Sequence, residues 1–276
     1  METGEADFMP KLSIEQTDRV EAIPSVDVLT SPSAQVYYVI IRGDSSVNPI
    51  MQEKDFRVAV AKAIDRKGYV EFMLENKAEV AGGLMGPKIF GYTEEGNSVG
   101  YDYDPEGARK ILEEKGWADQ EIKFLVPSTP VYTKMGEAFQ ANMKEAGFNN
   151  VQIESIDWSA WLTESKTDSR FDISIAAWSN ITRDGSELFE PNFHSVTGTN
   201  RNRASAADAA VIDQLIDESK QTSDEAVRIE KLQQVNKLVS EEAYIQPVYH
   251  SENLYCLNNA YTGLVMDAGG TFYLKD

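Results

Sequence analysis

The chain has 276 residues, of which 26 are Lys or Arg and 45 are Asp or Glu, so its formal net charge is −19. This excess of acidic residues disfavours binding to nucleic acid or to anionic lipid, because clustered Lys and Arg hold both of those ligands. Hydrophobic residues make up 42% of the chain, which is typical of a globular protein with one large or two ordinary domains, and no apolar run reaches the roughly 18 residues of a membrane span.

The first hundred residues predict one strand, one helix and one loop. The apolar, β-branched and aromatic run at residues 36–41 is typical of a buried strand. A helix is expected to begin with Asp55 as its cap and to reach about Leu74. The Gly-rich residues 81–87 must form a loop.

The middle of the chain alternates helices and strands. Asp104 and Pro105 are typical of a helix start, and Gly116 is typical of a helix end. The pattern then predicts, in order, a strand at 122–126, a helix at 132–145, a strand at 151–156, a short helix capped by Asp157 and a strand at 171–178. This order is that of a βαβαβ unit and indicates a mostly parallel sheet covered by helices.

The last part of the chain predicts two amphipathic helices and further strands. The second of these helices is expected to open with a capping box formed by Thr222 and Glu225. A strand at residues 244–249 contains Pro247, which predicts a sheet edge or a bulge there. Alternating aromatic residues and glycines in residues 260–276 indicate a strand-rich end.

Motifs for nucleotide binding, hydrolysis and metal binding are missing from the sequence. It has no Gly-x-Gly-x-x-Gly, Walker loop, Gly-x-Ser-x-Gly or Cys-x-x-Cys, and His194 and His250 lack metal-ligand spacing, so we expect no metal and no cofactor. The single cysteine, Cys256, lies in an apolar stretch and is expected to be buried. Acidic pairs such as Glu94 and Glu95 are typical of solvated surfaces, although paired carboxylates in a cleft would also serve glycoside hydrolysis.

Several segments, in order along the chain, resemble the family 5 solute-binding proteins, which are the peptide, glutathione and nickel receptors of bacterial ABC importers. Residues 56–66, Phe-Arg-Val-Ala-Val-Ala-Lys-Ala-Ile-Asp-Arg, are similar to the family's Val-Arg-x-Ala-x-x-x-Ala-Ile-Asp-Arg helix. Residues 4–7 resemble its Gly-Glu-x-Asp, residues 103–112 its Tyr-Asp-Pro-Glu segment, residues 177–178 its Gly-Trp strand end and residues 247–249 its Ile-Pro-Leu-Tyr. The resemblance covers roughly the C-terminal half of such a receptor.

This resemblance implies an α/β fold of the type II periplasmic-binding-protein kind, in which two lobes close around a ligand. Residues 36–249 would form the second, ligand-binding lobe, with a βαβαβ sheet covered by helices. Residues 1–35 and 250–276 would be a remnant of the first lobe with the hinge strands. The implied function is not enzymatic: the chain would belong to a substrate-binding component that captures short peptides between its lobes and works with the permease and ATPase subunits of an ABC importer.

The resemblance also implies an extracellular or periplasmic protein that is lipid-anchored in its full-length form. Residues 1–7 have neither the basic region nor the apolar region of a signal peptide, so either the protein is cytoplasmic or the chain is the mature or truncated part of a longer protein. Because the resemblance covers only about the C-terminal half of such a receptor, it implies a truncated chain.

Ligand-binding residues are expected in the loops after the first and third strands of the βαβαβ unit, because open α/β sheets bind ligands at the carboxyl ends of their strands. The eight candidates are Ser128, Thr129, Tyr132, Trp178, Asn180, Thr182, Arg183 and Asp184. The resemblance implies that Asp184 pairs with the amino group of a peptide and that Arg183 holds a carboxylate. Alternatively, both residues brace their loop, and Trp178 either stacks on the ligand or packs in the core.

Three alternatives to a peptide receptor stay open at this point. The first is a receptor for another solute, such as glutathione, a nickel chelate or an oligosaccharide. The second is a carboxylate-dependent hydrolase with its acids in a cleft between lobes. The third is an interaction or sensing module built on the same fold.

Overall fold

A computed structural model describes residues 1–44, 48–166, 171–198 and 204–275 of the chain. Within these ranges the strands are β1 Phe8–Met9, β2 Val26–Ile41, β3 Ala78–Val80, β4 Glu121–Pro127, β5 Asn150–Ile156, β6 Ile173–Ser179, β7 Ile245–Asn258, β8 Leu264–Met266 and β9 Phe272–Leu274. The α-helices are α1 Thr17–Glu21, α2 Lys54–Lys62, α3 Arg66–Gly68, α4 Pro105–Lys115, α5 Pro130–Glu145, α6 Trp158–Glu164, α7 Gly185–Phe193, α8 Ala206–Lys220 and α9 Glu225–Glu241. Short 3-10 turns lie at Ile14–Gln16, Pro49–Gln52 and Gly96–Ser98, and a π-helical stretch, Tyr69–Met73, follows α3.

Strands β2 and β7 lie at the centre of the main sheet. The strand order within the described residues is β1-β7-β2-β6-β4-β5, and β3 also pairs with β7. Strand β4 is parallel to both β5 and β6, so the predicted βαβαβ unit is confirmed for β4–α5–β5–α6–β6. Strand β2 runs antiparallel to β6 and to β7. The sheet as a whole is therefore mixed, and the expectation of a mostly parallel sheet is wrong outside the βαβαβ unit.

Helices cover both faces of this sheet. Side chains of α2, α4 and α5, such as Phe139, form one buried cluster with Phe124 of β4. On the opposite face, side chains of α7, α8 and α9, such as Phe189, pack with Leu125, the next residue of the same strand. The alternation follows from the two-residue period of a strand, and each such side chain contributes about 1.5–3 kcal/mol when it is fully buried.

The helix expected from Asp55 to about Leu74 is interrupted, so that prediction is wrong. Helix α2 ends at Lys62, and the carboxylate of Asp65 then accepts the N–H of Gly68 at 2.8 Å, which opens α3 as a new helix. An aspartate that caps a following turn competes with continuation of the helix before it.

The capping box predicted at Thr222 is also wrong. Asp224 is the N-cap of α9, and its carboxylate accepts the N–H groups of Ala226 and Val227. The hydroxyl of Thr222 instead accepts the N–H of Asp224 in a short turn. Pro247 lies where the register between β2 and β7 shifts, so of the two predicted positions the bulge is confirmed.

The terminal segments, residues 1–32 and 252–275, pack together into what we call the terminal unit. Its cluster of buried side chains consists of Leu12, Val20, Val26, Leu254 and Cys256. Strand β1, the N-terminal half of β2 and the C-terminal half of β7 join this unit to the main sheet. Strands β8 and β9 form a separate two-stranded sheet. Cys256 is fully buried, as predicted. The assignment of residues 1–35 and 250–276 to a first lobe stays a prediction.

The Gly-rich loop at residues 81–87 is held in place by buried polar side chains. Asn236 of α9 accepts the N–H of Leu84 at 3.0 Å and donates to the carbonyl of Gly96 at 2.8 Å. Arg66 donates to the first carbonyl of the loop at 2.6 Å. These bonds satisfy backbone groups that would otherwise be buried without partners.

Replacement of Asn236 by Leu tests this arrangement. The change removes both bonds and leaves the N–H of Leu84 and the carbonyl of Gly96 unpaired, so we expect the free energy of unfolding in urea to fall by about 2–4 kcal/mol. The matched control is Gln234→Leu, on the exposed face of the same helix, where a change within about 0.5 kcal/mol is expected. Equal stability of the two variants would contradict the proposed role of Asn236.

Candidate functional site

A cavity of about 760 Å³ lies between the terminal unit and the carboxyl edge of the main sheet. Its walls include residues 10–15 of the terminal unit, the first turn of α5, the middle of β7 and the π-helical stretch after α3. The volume falls within the range of roughly 300–1,000 Å³ that is typical of small-molecule sites.

Three tyrosines from different elements form one wall, so we call it the tyrosine cavity. Tyr37 of β2 stacks on Tyr249 of β7 with ring centroids 4.5 Å apart, and Tyr249 is 6.2 Å from Tyr69. Burial raises the pKa of Tyr69 to about 12 and raises the pKa values of Tyr37 and Tyr249 as well. A phenol with its ordinary pKa near 10 is already neutral at pH 7, and the raised pKa values keep these three neutral to higher pH, so all three can donate hydrogen bonds.

Charges of both signs lie at the solvent-exposed rim of the tyrosine cavity. The ammonium of Lys134 in α5 is 2.8 Å from the carboxylate of Glu15 in the terminal unit. The hydrogen bond from Lys134 lowers the pKa of Glu15. Both side chains are about half exposed, so the pair itself adds at most about 1 kcal/mol to stability. The pair places one cation and one anion at the rim, where a charged group of a ligand can replace the partner of either one.

The three candidates in the loop after β4 lie beside this cavity. Ser128 is exposed, and its N–H donates to the carbonyl of Ile156 at 2.7 Å. Thr129 is the N-cap of α5, and its carbonyl accepts the N–H of Tyr132. Tyr132 is buried and stacks on Trp158 at 5.8 Å. The residues that follow Thr129 in the first turn of α5, including Val131, reach the cavity wall.

The five candidates at the end of β6 and in the loop after it do not contribute to the walls of the tyrosine cavity. Trp178 packs against the cluster on the opposite face of the sheet, which contains Phe189. This packing matches the core alternative for Trp178. Asn180 is buried and lines a second, much smaller cavity of about 10 Å³ together with His250. The three candidates after β4 and the five candidates near the end of β6 are therefore not brought together in one site.

The carboxylate of Asp184 has protein partners. It accepts the N–H and the hydroxyl of Ser186 at 3.0 and 2.8 Å as the N-cap of α7, and it receives a hydrogen bond from Arg228 of α9 at 2.7 Å. Burial alone would raise the pKa of Asp184, but the bonds from Arg228 and Ser186 outweigh it, and the pKa is lowered. The bracing alternative thus describes the geometry of Asp184, and its pairing with a ligand amine stays a prediction.

The rest of this loop leads into α7, a helix that sequence reasoning missed. Thr182 donates its N–H to Glu187 at 2.7 Å, and Asn180 donates to the carbonyl of the capping residue at 2.7 Å. Arg183 is exposed with φ of 61°, and its carbonyl accepts the N–H of Phe90. The bond from Phe90 and the bond from Arg228 to Asp184 hold the loop against residue 90 and α9.

Sequence reasoning also missed the tyrosines and the charged pair of the tyrosine cavity. One signal was present: the first predicted strand begins beside Tyr37, and the late strand ends at Tyr249. An antiparallel pairing of these two strands brings the two residues directly opposite each other, as the register shows.

Comparison with known proteins identifies the family. Residues 1–200 match the family described as bacterial extracellular solute-binding proteins, family 5 Middle. The chain belongs to this family. The dipeptide-binding protein DppE of Bacillus subtilis is 27% identical over 236 residues, which are 81% of this chain and 42% of that protein. A probable di/tripeptide-binding protein of Pseudomonas aeruginosa is 25% identical over 233 residues, 82% of this chain and 42% of that one.

Solved structures of other proteins have the same fold. HbpA2 from Haemophilus parasuis superposes with a TM-score of 0.83 at 20% identity, over 99% of this chain and 55% of that one. A dipeptide-binding protein from a Pseudoalteromonas species, in complex with Met-Leu, has a TM-score of 0.80 at 18% identity, over 99% and 55% of the two chains. The chain thus spans about half the length of the relatives it matches. In the ranges that the structure describes, the helices are too short or too polar to cross a bilayer.

His250 gives the folded chain a testable dependence of stability on pH. Burial lowers the pKa of His250 to about 4, whereas an unfolded histidine titrates near 6.5. As the pH falls from 6.5 to 4, the unfolded chain takes up a proton at this position and the folded chain does not. We therefore expect His250 to remove about 3 kcal/mol from the free energy of unfolding over this interval.

The measurement is urea unfolding at several pH values for the wild type and for His250→Gln. Every other titratable group is the same in the two proteins, so the difference between the two curves isolates His250. The wild type should lose more stability than the variant as the pH falls from 6.5. Parallel curves would contradict a buried, neutral His250.

Proposed function

We propose that this chain is the ligand-binding part of a peptide-type ABC importer receptor and that short peptides bind in the tyrosine cavity. The observation that carries the proposal is the cavity itself, about 760 Å³ in volume, with tyrosine walls and a rim pair of opposite charge. The relatives support a peptide as the ligand, since those reported above are named for dipeptides or di/tripeptides and one solved structure holds Met-Leu.

The groups around the cavity match the chemistry of a short peptide. A free peptide is a zwitterion, and Glu15 and Lys134 offer counter-charges to its amine and carboxylate. Polar groups of Gln35 and Ser251, which lie 3.4 Å apart at the wall, can bond to peptide amides. The tyrosines contribute to the apolar and aromatic lining that is typical of such sites.

The remaining parts of the receptor follow from the same proposal. The terminal unit would belong to the first lobe, residues 36–249 would form the second lobe, and closure of the two lobes would be driven by contacts of the ligand with both. The full-length protein would be extracellular or periplasmic and lipid-anchored, and it would deliver its ligand to the permease and ATPase subunits of an importer. Its role would be binding rather than catalysis.

Filling the cavity tests where the peptide binds. Val131→Trp places a larger side chain from the first turn of α5 into the cavity wall, so we expect the affinity of the chain for the dipeptide Ala-Phe to fall by about tenfold or more. Dissociation constants are measured by NMR titration, which reaches millimolar affinities. The matched control is Val211→Trp on the exposed face of α8, which should bind as the wild type does. Unchanged binding by Val131→Trp would contradict a site in this cavity.

Replacement of Asp184 by Ala distinguishes its two roles. The loss of the N-cap of α7 and of the bond from Arg228 should lower the free energy of unfolding by about 1–2 kcal/mol. Because the walls of the tyrosine cavity do not include Asp184, a peptide bound there keeps its affinity for the variant, whereas a peptide whose amine pairs with Asp184 loses about tenfold or more. An affinity equal to that of the wild type would remove Asp184 from the site.

A further inference from the structure

A continuous row of aromatic rings crosses the carboxyl edge of the main sheet. Successive ring centroids are 4.5–6.2 Å apart. In spatial order the rings are those of Tyr69, Tyr249, Tyr37, Tyr132, Trp158 and Trp161. Three helical segments (the π-helical stretch, α5 and α6) and two central strands contribute to this row. The first three rings of the row line the tyrosine cavity.

The rings that line the cavity are held rigidly. Tyr37 lies between Tyr249 and Tyr132, and Tyr249 lies between Tyr37 and Tyr69. Tyr69 and Tyr249 are 5% and 4% exposed, and both Tyr37 and Tyr249 belong to central strands of the sheet. A wall that is ordered before the ligand arrives loses little conformational entropy on binding.

The charged and aromatic parts of the cavity lie at different depths. The side chains of Lys134 and Glu15 are 48% and 65% exposed, in contrast to the buried Tyr69 and Tyr249. A zwitterionic peptide therefore meets its counter-charges at the rim and presents a side chain to the tyrosines. A contact between two aromatic rings adds about 0.5–1.5 kcal/mol of stabilisation beyond that from burial of their area.

We propose that the tyrosine cavity selects peptides that carry an aromatic side chain, which packs against the part of the tyrosine wall formed by Tyr37 beside Tyr249. This inference rests on the proposed function, since it names the ligand class of the same site. The apolar neighbours of the rings in the wall, Leu74 and Leu254, enclose the same side chain.

The first experiment compares three dipeptides, Ala-Phe, Ala-Leu and Ala-Ala, by NMR titration of this chain. Ala-Phe is expected to bind about tenfold or more tighter than Ala-Ala, with Ala-Leu between them. If all three bind equally well, or if Ala-Leu binds as tightly as Ala-Phe, the aromatic preference is overturned and the proposed peptide site stands. If none of them binds, the proposed function fails and this inference fails with it.

The second experiment asks whether the tyrosines cause the preference. Tyr37→Leu keeps an apolar side chain but removes the central ring, so the affinities for Ala-Phe and Ala-Leu should converge. Tyr37→Phe keeps the ring and should keep the preference. The matched control is Tyr261→Leu, at an exposed position of the terminal unit, which should leave the ratio of affinities unchanged. An unchanged ratio in Tyr37→Leu would overturn the proposal.

A measurement on the wild type covers the case in which Tyr37→Leu does not fold. With Ala-Phe at saturation, intermolecular NOEs are expected between the phenyl protons of the peptide and ring protons of Tyr37 or Tyr249. If the bound peptide gives NOEs to other parts of the chain and none to these tyrosines, the proposal is overturned.

Discussion

The antiparallel pairing of β2 with β7 is the interaction on which the rest of the structure depends. These strands have 16 and 14 residues, and they are paired from Val26 opposite Asn258 to Ile40 opposite Ile245. One end of the pair carries the terminal unit, and the other end is the centre of the main sheet. The register shifts between Pro32 and Val36, which is where the two parts of the molecule meet. A cavity at that junction is a direct consequence of the pairing.

The same pairing determines the chemistry of the cavity. It places Tyr37 opposite Tyr249, and the stacked rings then form the wall onto which Tyr69 and Tyr132 pack. Because these phenols are neutral, and burial raises their pKa values further, the wall is apolar with hydroxyl groups that can donate hydrogen bonds, and the charges lie outside it. The site is thus built by rigid elements at the edge of a sheet, where α/β proteins commonly bind ligands.

Local patterns predicted much of the fold. The βαβαβ unit, the cap at Asp104, the left-handed Gly116 and the bulge at Pro247 all depend on residues close together in sequence. The candidate site depends on contacts between distant residues: Lys134 and Glu15 are 119 positions apart, and Tyr37 and Tyr249 pair across almost the whole chain. No local pattern encodes a strand register of that kind. For the same reason the partner of Asp184, Arg228 in a helix 44 positions later, could not be predicted.

The central claim is that the tyrosine cavity is the peptide site of this chain, and a crystal structure of the chain with Ala-Phe tests it most directly. The account predicts peptide density between the rim pair, Lys134 with Glu15, and the rings of Tyr37 and Tyr249. Density for the peptide on the opposite face of the sheet, beside Asn180 and Asp184, would contradict it.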